Sequence, residues 1–184
     1  MLNKEKLIKA CPDIIYGFLD DKWDKSIMGF VERQEGDKHV FRPAYGFQAL
    51  KSMSKTDNGV KLSPSKAYKN LSKLINNDTH QALIITAYDR RQLWDIIEMN
   101  DMRIWENLNR AVIGLSSIPS ASKRCVVYNK ILSAQILQDM QVGQAASDVK
   151  NYIDTLEYID ANILGIHLGE STPWFLTPVN QLPE

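Results

Sequence analysis

Ala82-Leu83-Ile84-Ile85-Thr86-Ala87-Tyr88 is a short continuous apolar run with β-branched members, a pattern that a buried strand or a segment of buried helix can carry. Such a run reads as a strand buried on both faces. Asp89 follows it as a helix cap, with Gln92 three residues later in capping-box spacing. Leu93, Ile97, Ile104, Leu108, Ala111 and Leu115 then form an apolar stripe. The spacing predicts helix over 90–115, kinked or split at Asn100-Asp101 and closed by Gly114 and Pro119.

Upstream, Ile27-Met28-Gly29-Phe30-Val31 and His39-Val40-Phe41 flank the polar turn Gln34-Glu35-Gly36-Asp37, which predicts a β-hairpin. Short helical pieces are expected at 3–10 and 12–19, around Pro12. Asn58-Gly59 signals a second hairpin turn. Ser63-Pro64 begins a helix: the serine caps free N–H groups and proline is tolerated at the first helical position. Ala67, Leu71, Leu74 and Ile75 carry that helix to Asn76-Asn77.

Downstream, 124–128 reads either as a strand or as the start of a helix running to Met140, and the periodicity leaves both open. A helix is expected over 146–160 and a last core strand over 162–168. The pattern predicts an α+β fold, in which a small mixed sheet with an N-terminal hairpin region is covered by three or more helices. The alternative is a mostly α domain with one hairpin. Residues 1–168 would form one globular domain and 169–184 a tail of Pro173, Pro178 and Pro183 around Trp174-Phe175-Leu176. No internal repeat is legible.

The 184 residues are 44% hydrophobic and 24% charged, ordinary for a folded domain. Basic and acidic residues balance at 22 each, without the basic excess usual in a chain built around nucleic-acid phosphates. Cys11 and Cys125 stand far apart, as reduced buried thiols rather than a disulfide framework. Lys4, Glu5 and Lys6 are not followed by an apolar run, and no stretch approaches the length of a membrane span, so the cytoplasm is expected.

Four places carry candidate chemistry. Asp89, Arg90 and Arg91 close one expected strand, while His167 and Glu170 close another. Were those strands parallel neighbours, the groups would converge into an anion site or an acid–base site. Otherwise Asp89 is only a cap, and the arginines are solvated. Lys66, Lys69 and Lys73 share one helix face within a lysine-rich stretch, suited to phosphate or to an acidic protein surface, or simply solvated. Trp174 and Phe175 would anchor a partner, or else fold back over the domain's own core. His39, His80 and His167 lack zinc-ligand spacing, and no nucleotide-binding or nucleophile-elbow motif occurs, so no metal or cofactor is implied.

The leading expectation is a non-enzymatic interaction protein, a regulator, inhibitor or adaptor that docks to another protein. A small inhibitor encoded by a phage or mobile element fits this profile, as do many host regulators. The second expectation is a small enzyme using His167 or His80 with Asp89, Glu170 and Arg90 on an anionic or nucleotide-like substrate. The third is a weak nucleic-acid binder using the lysine face.

Overall fold

The computed structural model describes residues 3–14, 18–53, 63, 66, 69, 70, 73, 82–117, 124–141 and 152–182. Helix α1 spans Asn3–Ala10, and a 3-10 segment, Asp21–Ser26, leads into the hairpin of β1, Ile27–Glu35, and β2, Lys38–Gly46. Helix α2, Phe47–Met53, follows directly, then β3, Leu83–Thr86, and helix α3, Arg90–Met99. A second 3-10 segment, Glu106–Ala111, precedes β4, Val112–Ser117. Then come β5, Val126–Asn129, helices α4, Lys130–Gln141, and α5, Tyr152–Ile159, and finally β6, Trp174–Pro178.

The six strands close into a barrel in chain order, β6 returning to β1. This corrects both sequence-based expectations, the small helix-covered mixed sheet and the mostly α domain. Closure depends on two strands that the sequence reading missed. Residues 112–117, the first four of them expected in the long helix, form β4 between β3 and β5. Residues 174–178, assigned to the tail, form β6 between β5 and β1. Closure also leaves no sheet edge to satisfy.

Other expectations are resolved individually. The hairpin forms with Gly36 at φ +60° in its turn. Residues 124–140 are both alternatives in succession, strand β5 and then helix α4. The 90–115 segment splits at Asn100-Asp101, where Asp101 stands at φ +46°: α3 ends at Met99, and the 3-10 segment Glu106–Ala111 and then β4 follow. The expected strand at 162–168 is instead a π-helical continuation of α5 through Asp160–Leu164. Residues 12–14 and 18–20 are non-helical. The Asn58-Gly59 turn and His80 lie outside the described residues.

The second half repeats the pairing of the first. β1–β2–β3 are joined antiparallel and then parallel, and so are β4–β5–β6. The register repeats too: Gly29–Ala44–Leu83 are cross-strand partners in one half, and Gly114–Val127–Trp174 in the other. A register shift stands just before each glycine, at Ile27/Gly29 and Val112/Gly114. A Cβ on Gly29 would overlap the Thr177 carbonyl, and one on Gly114 the Thr86 carbonyl. Each second strand carries a buried tyrosine whose hydroxyl accepts a backbone N–H, Tyr45 from Leu19 at 3.0 Å and Tyr128 from Trp105 at 2.7 Å. Burial raises both tyrosines to about 12.

Strand alternation divides the core into three parts. Val31, Ala44, Leu83, Ile85, Cys125, Val127, Trp174 and Leu176 fill the barrel. Outside it, Phe30, Tyr45 and Ile84 pack against Leu7, Leu19, Trp23 and Leu50. On the other flank, Leu115, Val126, Tyr128 and Phe175 pack against Leu93, Leu108, Ala134 and Ile159. Strands covered on both faces read as unbroken apolar runs, which explains the 82–88 signal.

Candidate functional site

The group expected at two strand ends does not meet on neighbouring strands. The expected strand at 162–168 does not form, so His167 and Glu170 close no strand; they lead instead into β6, which two strands separate from β3 either way round the barrel. Asp89 is a helix cap, its Oδ1 accepting the Gln92 N–H at 3.0 Å. The Arg90 guanidinium donates to the Asn109 carbonyl at 3.3 Å and lies 5.8 Å from the Trp94 ring centre. It thereby ties α3 to the segment before β4. Arg91 is exposed. His167 is exposed beyond the π-helical turn, with Nδ1 3.2 Å from the Gln34 carbonyl oxygen. Glu170 sits in a 3-10 turn, where its backbone carbonyl lies 3.0 Å from Cys125 Sγ.

The tail residues are core. Trp174 and Phe175 are 0% and 1% exposed, because they stand on opposite faces of a strand packed both inside and outside the barrel. Of the two readings of this segment, the one in which it covers its own core is realised. Trp174 is clamped at the barrel mouth by two guanidiniums, Arg33 at 4.1 Å and Arg42 at 5.3 Å from its ring centre. Glu35 holds both arginines, at 2.8 and 3.2 Å. Arg33 also donates to the Thr172 carbonyl at 3.0 Å, fixing the approach to β6.

The most deeply buried carboxylate among the described residues carried no flag in the sequence. Glu32, on the outer face of β1, accepts from Lys130 Nζ at 2.6 Å and lies 3.1 Å from His39 Nε2. Lys130, the first residue of α4, also reaches Asp160 at 2.6 Å. Burial alone would raise the Glu32 pKa, but the His39 hydrogen bond and the Lys130 charge outweigh it and hold the carboxyl below its usual range. For Lys130, burial pulls downward while Glu32 and Asp160 raise the pKa overall. The available signal was a glutamate breaking an apolar strand run at Glu32.

These environments suppress rather than activate chemistry. Burial pushes Cys11 up to about 11 and raises Cys125 despite the neighbouring Arg33, so neither thiol is biased toward thiolate. Lys130 is held charged and is a poor nucleophile; Glu32 is held ionised and is a weak base. Both cysteines are free and buried, as expected. Among the described residues, no three His, Cys, Asp or Glu side chains gather as metal ligands.

The lysine face differs from these internally bonded groups. Lys66, Lys69 and Lys73 are helical and exposed. Ser63 Oγ accepts the Lys66 N–H at 3.4 Å, marking the helix start where the cap was expected. Three- and four-residue spacing places the three ammonium groups along one side. That arrangement can meet a row of anionic groups on another surface.

No helix of the described residues is long and apolar enough to cross a membrane. No family model, curated protein or solved structure matches this chain.

Proposed function

We propose that this chain is a non-enzymatic interaction protein, a regulator, inhibitor or adaptor, whose Lys66, Lys69 and Lys73 face docks to an acidic surface of another protein. The observation that carries this reading is the exposure of all three lysines on one helical face. The charges of Glu32, Lys130, Arg33 and Arg42, by contrast, are bonded within the molecule. Lysine suits such a face because its ammonium group steers association without requiring a fixed bidentate partner. Two buried, unpaired thiols support a reducing compartment such as the cytoplasm.

The test is an affinity capture from the source cell with the natural chain and with K66E/K69E/K73E. One dominant protein partner is expected with the natural chain and none with the variant. Recovery of no partner, or equal capture by both, would refute the proposal. Recovery of nucleic acid, with binding that weakens steeply as salt rises, would transfer the lysine face to phosphate recognition.

A further inference from the structure

We propose that the recess beside the end of α3, between Arg103 and Arg124, binds a phosphomonoester the size of a sugar phosphate or a nucleotide. The recess holds about 510 Å³ and lies where residues 100–103 approach Arg124, just before β5, and Ser171, just before β6. That volume falls within the range of small-molecule sites. Among the described residues, Arg103, Arg124 and one acid, Asp101, line it, a formal excess of one positive charge.

Three features favour a phosphate over a larger or neutral ligand. Arg103 and Arg124 flank a single space, and a dianionic phosphate presents enough oxygens to engage both forks at once. Arg124 is oriented in advance, its Nη1 lying 3.2 Å from the Tyr88 hydroxyl. Asp101 and Ser171 supply an acceptor and a hydroxyl suited to the sugar rather than to the phosphate, and Ile96 and Met102 add apolar lining.

The repeated register adds an independent reason. Continuing the equivalence of Val127 with Ala44, Arg124 corresponds to Phe41, which packs against the apolar cluster of the first half. The frame thus accommodates an aromatic residue at this position, and the second half places an exposed guanidinium there. An arginine that the packing does not require is free to serve a ligand. The carboxylate and the solvent at an open site limit the affinity, which belongs in the micromolar to millimolar range.

Isothermal titration with AMP, and separately with ribose phosphate, tests the inference, with adenosine as the phosphate-free control. Saturable one-to-one binding of at least one phosphate ester is expected, with none of adenosine. R103A and R124A, both at exposed positions and checked for native circular dichroism, should each weaken binding about tenfold. K66E/K69E/K73E should bind the phosphate ester normally, which separates this site from the docking face. Absence of saturation by either ester up to about 10 mM, or undiminished binding by R103A/R124A, would overturn the proposal.

Discussion

Glu32 shows how one residue can organise a junction between elements. It draws β1, α4 and, through Lys130 and Asp160, the end of α5 to one point. Removing one member of a buried pair leaves the other charge poorly compensated. Glu32→Gln should therefore destabilise the protein by about 2–4 kcal/mol, toward the lower side because Asp160 still holds Lys130. Its lowered pKa fixes the sign of the pH effect. The ionised carboxylate contributes its full stability above the usual carboxyl range and loses it as pH falls through the lowered value. The raised Lys130 works in the opposite sense, contributing fully below the usual lysine range and losing its share as pH rises through the raised value. Urea unfolding of both proteins should therefore show a gap that is widest at neutral pH and closes in acid. A gap that persists or grows in acid would contradict the ion-pair account. None of this pairing was legible in the sequence, since 98 positions separate Glu32 from Lys130.

At the scale of elements, the least legible strand is β4. Its Leu115 continued the stripe of the preceding helix, and its glycine resembled a helix stop. Gly114 instead marks the close passage of β4 past β3, where any side chain would meet the Thr86 carbonyl. Gly114→Ala should cost about 2–3 kcal/mol, as overpacking against backbone does, and should lower the urea midpoint. An unchanged midpoint would show that β4 can move aside. Elements with local punctuation were easier to read. The Gly36 turn gave the hairpin, Asp89 with Gln92 gave the start of α3, and Ser63 gave its helix start. The strand expected at 162–168 failed because a helix end and a buried strand can carry the same apolar run.

For the whole molecule, closure makes β6 indispensable. It pairs with both β1 and β5 and carries Trp174 into the barrel. Loss of the tryptophan side chain alone would cost about 3–5 kcal/mol. A chain ending at Ser171 should lack a cooperative thermal transition followed by circular dichroism, because β1 and β5 are then left as open edges. A cooperative melt near that of the full chain would show that five strands suffice. The duplicated register also belongs to this scale. Ile27-Met28-Gly29-Phe30 and Val112-Ile113-Gly114-Leu115 share little beyond the glycine and their apolar character, too little to announce a repeat. By itself the sequence determined what depends on neighbours along the chain: the hairpin, the caps, the apolar runs and the free thiols. The tertiary structure alone decided strand order, barrel closure, the Glu32–Lys130 pair and the sharing of one recess by Arg103 and Arg124. Each of these joins residues far apart in sequence, and local periodicity carries no information about which distant partners a strand or a charge will find.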